Sequence, residues 1–375
     1  MTDKQHWLPI TQENIQKAHS LVKPYIYETP VLTCKTLNSL ASTPQTPDAL
    51  KGTPFEGQQP ARPKINFFFK CENFQRIGAF KVRGAFHSIL RVIQTKGNHA
   101  QAVALAASTL SIPAYIIMPS ISLPSKIEAT KGYGGKVIFS GSTSDEREAV
   151  VRKAQEETGA ILIHPYDHPD TVLGQGTAGL ELEAQVNKLV SETPGLSVRL
   201  GKDGKGCGLD AVITPLGGGG LNSGTASFFA EPRENGKKIY VFGAEPSFQG
   251  ADDARRGLKA GERIPAVKSL TIADGLRTPM GEIAFSILSD SSKSRGVFSV
   301  TEEQIKSVMK LVVERMKIVI EPSAAVPLAV CLFDEEFRQI VEREAGEDGW
   351  NVGVIFSGGN TTIEAMSQLF ATSSS

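Results

Sequence analysis

Residues 70–86 read Lys-Cys-Glu-Asn-Phe-Gln-Arg-Ile-Gly-Ala-Phe-Lys-Val-Arg-Gly-Ala-Phe, and this stretch decides the interpretation of the whole chain. The short apolar run from Ile65 to Phe69 before it is typical of a buried strand. The apolar positions of residues 85–93 after it fit a helix. Lys81 therefore stands where a strand gives way to a helix, with Phe80 directly before it and small residues on both sides.

The setting of Lys81 suggests a chemical role. A lysine that is partly withdrawn from water loses some of its preference for the charged form. Such an amine can attack a carbonyl carbon and form a Schiff base. The alternative is a solvated surface lysine, which is the more common situation. Lys81 alone therefore does not decide the function.

A run of four glycines, Gly217-Gly218-Gly219-Gly220, lies between the strand candidate 211–215 and a segment, 221–226, that can open a helix. Glycines let the backbone turn freely and bring its N–H groups against a ligand. A helix N-terminus behind them favours an anion. The spacing is not that of a dinucleotide fingerprint or a P-loop. The run predicts a phosphate site, with a flexible loop as the alternative. Together with an imine-forming lysine, it suggests pyridoxal phosphate.

The bulk composition narrows the class of protein. At 375 residues with 40% hydrophobic content, the chain can form two domains with a substantial core. Forty basic and forty acidic residues cancel, so nucleic acid and anionic membrane surfaces are not indicated as partners. No run approaches the roughly 18 apolar residues of a membrane span, and the N-terminus lacks a signal core. We expect a cytoplasmic protein, with Cys34, Cys71, Cys207 and Cys331 as reduced thiols.

Several short motifs occur in a family-like order. They are the Lys81 stretch, Gly97-Asn98-His99-Ala100-Gln101, the tetraglycine run, Ile272-Ala273-Asp274-Gly275 and Ser357-Gly358-Gly359-Asn360. Over residues 15–365 they resemble the fold-type II pyridoxal-phosphate enzymes, in the branch of serine/threonine dehydratases, serine racemase and hydroxyaspartate ammonia-lyase. The resemblance implies an α/β fold, tryptophan synthase β-like, with two open twisted α/β domains and the cofactor in the cleft between them.

The same resemblance implies a domain division. Residues 1–91 and 166–375 would form the large, cofactor-binding domain, and residues 92–165 the small one. The Thr-, Pro- and Gly-rich segment 41–63 is interpreted as a surface insertion with little fixed structure. In the small domain, alternating strand and helix patterns indicate a parallel sheet, whose last predicted strand is residues 160–164.

The start of the small domain departs from the family pattern. The family carries a strand before its Ser-Ser-Gly-Asn-His loop, whereas here the helix candidate runs directly into Lys96 and Gly97. The first strand is therefore expected to be absent. Lys96 stands where the family has the serine that acts as acid and base opposite the lysine. This difference supports an alternative function, a catalytically impaired or noncatalytic homologue that binds pyridoxal phosphate.

The resemblance also implies residue roles. Lys81 would be catalytic, together with Lys96 at the serine position. The implied cofactor-binding residues are Phe80, Lys81, Asn98, Gly217, Gly218, Gly219, Gly220, Leu221, Gly275 and Ser357. The implied substrate-binding residues are Gly97, Asn98, His99 and Arg147. Arg147 would contact a second substrate carboxylate, which would favour 3-hydroxyaspartate. A solvated helix arginine is the alternative.

A metal site is implied near the end of a predicted strand at 239–244. By resemblance, Glu245, the Ala251 carbonyl and Asp253 would bind Mg²⁺ or Ca²⁺, ions that prefer hard oxygen ligands. The alternative is that these carboxylates cap a helix. His164, Asp167 and His168 could also suggest metal ligands, with a loop near the cleft as the second interpretation.

The implied activity is that of an ammonia-lyase. Serine, threonine or 3-hydroxyaspartate would become a 2-oxo acid and ammonia, with amino-acid racemisation as a second activity. Lys81 would remove the α-proton, and the β-hydroxyl would leave. The partner is then a small amino acid, and the family implies a homodimer.

Overall fold

The computed structural model describes residues 7–95, 108–110, 112–122, 124–141, 144–200, 204, 206–233 and 236–371. The helices in these ranges are α1 (Gln12–Val22), α2 (Lys35–Ser42), α3 (Lys81–Thr95), α4 (Pro124–Gly132), α5 (Ser144–Thr158), α6 (Pro169–Glu192), α7 (Gly220–Phe228), α8 (Asp253–Ala260), α9 (Glu282–Leu288), α10 (Glu302–Met316), α11 (Pro322–Phe333), α12 (Glu335–Ala345) and α13 (Ile363–Ala371). The strands are β1 (Val31–Leu32), β2 (Ile65–Cys71), β3 (Tyr115–Pro119), β4 (Lys136–Ser140), β5 (Ala211–Pro215), β6 (Tyr240–Pro246), β7 (Gly296–Val300) and β8 (Trp350–Phe356). None of the helices in the described ranges is long and apolar enough to cross a membrane.

The larger sheet has the strand order β1-β2-β8-β5-β6-β7. β1 runs antiparallel to β2, and all other neighbours are parallel. Both faces of the sheet are covered: Phe67 and Phe69 pack into one apolar core, and Phe68 between them packs into the other. Parallel strands buried on both faces have continuous apolar sequences. This explains why β2 and β8 are nearly uniform apolar runs.

The order of the central strands places the site. β2, β8 and β5 are adjacent and parallel, so their carboxyl ends meet at one edge of the sheet. Ligands of open α/β sheets bind in the crevice at such an edge. The segments that follow these three strands carry Lys81, Ser357 and the tetraglycine run. Motifs far apart in sequence are therefore brought together by strand order.

The second sheet contains only β3 and β4 in the part of the chain that the structure describes. These strands pair in parallel, with Tyr115 opposite Lys136. Residues 160–164, predicted as a strand, are not paired, and Ile161 and Leu162 remain exposed. An extended segment becomes a strand only beside a neighbour that accepts its hydrogen bonds, and the described residues supply no such neighbour for this segment. The two-domain division stays a prediction.

The segment 41–63 is not the loosely structured insertion that its composition predicts. Glu335 on α12 accepts a hydrogen bond from the Ala61 amide at 2.5 Å. Arg338 on the same helix donates to the carbonyl of Thr43 at 2.7 Å and to that of Ala61 at 3.3 Å. Both α12 side chains are buried. These two side chains anchor the backbone of the segment, and composition does not reveal such contacts.

Candidate active site

A cavity lies at the carboxyl ends of β2, β8 and β5. Its empty volume, which includes space open to solvent, is about 650 Å³. The predicted cofactor residues that line it are Phe80, Lys81, Gly217, Gly218, Gly219, Gly220, Leu221, Gly275 and Ser357. Lys96, Gly97, Asn98 and His99 lie outside the described residues.

Lys81 is the first residue of α3, and its segment is fixed to the end of β8. The Phe80 amide donates to the Ser357 carbonyl at 3.0 Å. Ala79 and Gly358 form an antiparallel bridge. The Lys81 ammonium nitrogen lies 4.8 Å from the centre of the Phe80 ring, within the range of a cation–π contact. The backbone thus holds the lysine directly beside Ser357.

Lys81 is exposed, so the prediction that it is partly withdrawn from water is wrong for this structure. It faces the cavity at the edge of the sheet, where solvent enters. The buried lysine of this region is Lys70, on β2, whose side chain is fully buried and whose pKa is lowered by burial. Lys70 was not singled out from the sequence, although a lysine within the apolar run of β2 is a signal.

The tetraglycine turn has no room for side chains. Gly219, which precedes α7, has a φ of +93°, and a Cβ there would collide with Ala284. A Cβ on Gly218 would collide with the ring of Tyr166, and one on Gly217 would lie 3.0 Å from the Leu276 Cα. Glycine backbone at the N-terminus of a helix is the arrangement that binds phosphate. The residues present therefore fit the phosphate of pyridoxal 5'-phosphate.

Ser357 and Gly275 occupy the remaining walls. Ser357 directly follows β8 and is buried, which leaves a hydroxyl group beside Lys81 at the cavity. The Gly275 amide donates to the Ser323 hydroxyl at 3.0 Å. The Glu321 carboxylate, also in the lining, accepts a hydrogen bond from the Asn360 amide at 3.1 Å. Ser323 and Glu321 were not singled out from the sequence, because their roles depend on contacts across the sheet edge.

Two further lining residues were also missed, Tyr166 and Gln175. Burial raises the pKa of the Tyr166 phenol, whose ring meets the His164 ring at 4.8 Å between centroids. Gln175 on α6 accepts from the Gly84 amide at 3.2 Å, and its amide lies 3.5 Å from the Lys81 carbonyl. Gln175 thus contacts the turn of α3 that carries the lysine. Its position within a Gly-Gln-Gly-Thr run was the available signal.

Arg147 lies on α5 and is half-buried, outside the cavity lining. Its positive charge acts on the Tyr166 phenol and lowers the pKa of that group, against the larger effect of burial. The Nε of Arg147 is buried and has no hydrogen-bond partner within the described ranges. Such an orphaned donor is costly, and an anionic group that reached it would be stabilised.

The predicted metal ligands lie where β6 meets α8. Glu245 accepts from the amides of Ala254 at 3.0 Å and Arg255 at 2.8 Å, so it caps the helix as the alternative interpretation requires. Asp253 accepts from the Met280 amide at 2.9 Å. Burial raises the pKa of Glu245, with the charge of Asp253 adding to the effect, and burial raises the pKa of Asp253 to about 6. Two such carboxylates, close and buried, fit a cation.

The histidine segment is a structural loop. The Asp167 carboxylate accepts from the amides of Glu282 and Ile283, each at 2.9 Å, at the start of α9. The His164 Nδ1 accepts from the Asp167 amide at 2.9 Å. No group of three or more His, Cys, Asp or Glu side chains suited to a metal occurs within the described ranges.

The chain is similar to known proteins in both sequence and structure. Residues 47–358 match the family model described as pyridoxal-phosphate dependent enzyme. The chain is 37% identical to serine racemase of Dictyostelium discoideum, over 96% of this chain and 98% of that protein. It is 34% identical to L-threo-3-hydroxyaspartate ammonia-lyase of Saccharomyces cerevisiae, over 96% of each. The solved structure of maize serine racemase superposes with a TM-score of 0.76 at 33% identity, covering 97% of each chain.

Proposed function

Because the chain belongs to the pyridoxal-phosphate dependent enzyme family, we propose that it is an ammonia-lyase that converts serine, threonine or 3-hydroxyaspartate to a 2-oxo acid and ammonia. The fold and the family predicted from the sequence are confirmed, and the noncatalytic alternative gains no support from the relatives. The observation that carries the proposal is the meeting of Lys81, the tetraglycine turn and Ser357 in one cavity.

The cofactor would be held by residues from three strand ends. Lys81 would bind it covalently through its amine, and the amides of Gly217–Gly220 and Leu221 would bind the phosphate. Ser357 would meet the ring nitrogen, while Phe80, Gly275 and Asn98 would complete the ring site. When bound, the cofactor supplies an electron sink for negative charge at the substrate α-carbon.

Proton transfer falls to Lys81 in this proposal. The Lys81 amine would remove the substrate α-proton, and the β-hydroxyl would leave with a proton as water. The exposure of Lys81 to the cavity gives a substrate direct access to the amine. A second acid or base on the opposite side would add racemisation, and Lys96 stands at the position where the family has that group.

Substrate choice would depend on the predicted substrate-binding residues. Gly97, Asn98 and His99 would bind the α-carboxylate. The orphaned Nε of Arg147 would gain a partner from a second carboxylate, which favours 3-hydroxyaspartate over serine and threonine. Serine racemase and the hydroxyaspartate lyase among the relatives are the precedents for both activities.

A divalent cation would bind at the α8 end of β6. Glu245, Asp253 and the Ala251 carbonyl would supply oxygen ligands to Mg²⁺ or Ca²⁺. The raised pKa values of both carboxyls support this assignment, because a cation would remove the repulsion between two buried negative charges. A homodimer in the cytoplasm is the arrangement that the resemblance supports.

The test begins with the purified full-length chain and added pyridoxal 5'-phosphate. We expect a yellow protein, borohydride trapping of the cofactor on Lys81 by mass spectrometry, and 2-oxo acid release from at least one of the three substrates. The K81A variant should lose the yellow colour, the cofactor trapping and the 2-oxo acid release. K131A, a surface variant on α4, should keep all of these properties. Trapped cofactor without turnover would support the noncatalytic alternative. An unlabelled Lys81 would overturn the proposal.

A further inference from the structure

The loop between β2 and α3 has an unusual backbone. Ile77 has a φ of 61° and Gly78 a φ of 67°. A β-branched residue in the left-handed region is an outlier, and such strain persists only where the surroundings hold it. Here the Asn360 side chain donates to the Ile77 carbonyl at 3.0 Å, and the Gly359 amide donates to the Gly78 carbonyl at 2.9 Å. The tip of the loop is thus held by the segment after β8.

The base of the same loop is closed by Arg83. The guanidinium group donates to both Glu72 oxygens, at 2.7 and 2.8 Å. It therefore joins the residue that follows β2 to the first turn of α3. It also donates to both Glu181 oxygens on α6, at 2.6 and 2.9 Å, and to the Thr177 hydroxyl at 3.2 Å. Arg83 is fully buried. Paired contacts of this kind fix orientation as well as supplying energy.

Arg83 belongs to a balanced buried ion cluster, defined here as Lys70, Glu72, Arg83 and Glu181. The Lys70 ammonium donates to Glu181 at 2.8 Å and to the Thr29 carbonyl at 2.8 Å. Burial opposes ionisation of Glu181, but hydrogen bonds from His19 and Arg83 lower its pKa on balance. Two positive and two negative side chains therefore compensate one another beneath α3.

We infer that Arg83 is a positioning residue for Lys81. Arg83 is two residues from Lys81 in the first turn of α3, and it ties that turn to β2 and to α6. The contacts of Arg83 fix the backbone of the first turn of α3, and this backbone sets the position from which the Lys81 side chain extends into the cavity. This inference rests on the proposed role of Lys81 in cofactor binding.

The test compares two fully buried arginines in the full-length chain. R83K keeps the charge but can reach only part of the paired contacts. R338K makes the same change on α12, where the arginine contacts backbone carbonyls of segment 41–63 and does not line the cavity. For each variant, cofactor affinity, the pH dependence of the bound cofactor's absorption, kcat, KM and thermal stability would be measured. Hydrogen exchange of residues 72–84 would be followed without cofactor.

We expect R83K to weaken cofactor binding and to lower kcat by about 10- to 100-fold, as misplacement of a reacting group does. Exchange over residues 72–84 should quicken, and KM should change less than kcat. R338K should lower stability and leave these readouts near wild type. If R83K does not fold, E72Q is measured in its place. Equal behaviour of the two arginine variants would overturn the inference, whereas a wild-type chain that binds no cofactor through Lys81 would overturn the proposed function instead.

Discussion

Replacing Gly174 with alanine should move the helix that carries Lys81. A Cβ at Gly174 on α6 would lie 2.6 Å from the Gly84 Cα and 2.7 Å from the Arg83 carbonyl oxygen on α3. Non-bonded carbons settle at about 3.5–4.0 Å, so the two helices would have to separate by about 1 Å. Overpacking of this kind costs about 1–3 kcal/mol. A displacement of about 1 Å at a reacting group can lower kcat about 100-fold.

The assay combines thermal unfolding, cofactor titration and turnover. We expect G174A to unfold a few degrees lower and to lose kcat more than its lost stability explains, since the folded variant holds Lys81 out of place. G132A is the matched control, because nothing lies within 4 Å of a Cβ at that position on α4. Wild-type kcat and cofactor affinity in G174A would refute the idea that contact between α3 and α6 sets the lysine's position.

Four further predictions address the phosphate turn, pH, metal and substrate. G219A should bind the cofactor at least about 10-fold more weakly, because φ is +93° and the turn is crowded; G236A, also at positive φ but with open space, should bind normally. D334N should be more stable than wild type by about 1–2 kcal/mol at pH 7 and not at pH 4, measured by urea unfolding. Mg²⁺ or Ca²⁺ should raise the melting temperature of wild type but not of E245Q. R147K keeps the positive charge but lacks the guanidinium Nε donor, so it should raise KM for 3-hydroxyaspartate about 10-fold while KM for serine stays unchanged.

The sign of the pH prediction follows from the α12 cap. Asp334 accepts from the Phe337 amide at 2.9 Å, and burial raises the pKa of its carboxyl from 3.8 to about 6. A raised pKa in the folded state contributes stability that is complete below about pH 3.8 and is lost as pH rises through about 6. Asparagine keeps a capping oxygen without this loss. A stability difference that is constant from pH 4 to pH 7 would contradict the assignment.

The other outcomes are equally direct. Equal cofactor affinity in the G219A and G236A variants would show that the tetraglycine turn does not bind the cofactor's phosphate. A metal-induced rise in melting temperature that persists in E245Q would place the cation elsewhere. A uniform rise in KM for all substrates in R147K would remove its proposed role in selecting a second carboxylate.

Elements with strong local patterns were predictable to the residue. The strand candidate at residues 211–215 has in the structure the bounds that its apolar run predicts, Ala211–Pro215. The strand predicted at residues 160–164 is not formed. A strand needs a neighbouring strand to pair with, and the apolar content of a segment does not show whether one is present. The start of α3 lies at Lys81 rather than near residue 85, since Gly84 lies within the helix and packs against α6.

Site residues were predictable where a local sequence motif indicates a particular chemistry. The tetraglycine turn and Lys81 could be found from the sequence because each stands between a strand and a helix. The buried ion cluster could not, since Arg83 and Glu181 are 98 positions apart and nothing local to either predicts the contact. The exposure of Lys81 was also not predictable, because it depends on where the cavity opens.

The place of β8 in the sheet has a consequence for how the chain matures. Among the described residues β8 follows every other strand of this sheet in sequence, yet it lies between β2 and β5 and is hydrogen-bonded to both. A nascent chain still on the ribosome therefore lacks the middle of its sheet until Trp350–Phe356 has been synthesised. The strained turn at Ile77 also requires the hydrogen bond from the Asn360 side chain, which is synthesised later still. The pocket at this edge of the sheet therefore forms only after both β8 and Asn360 have been synthesised.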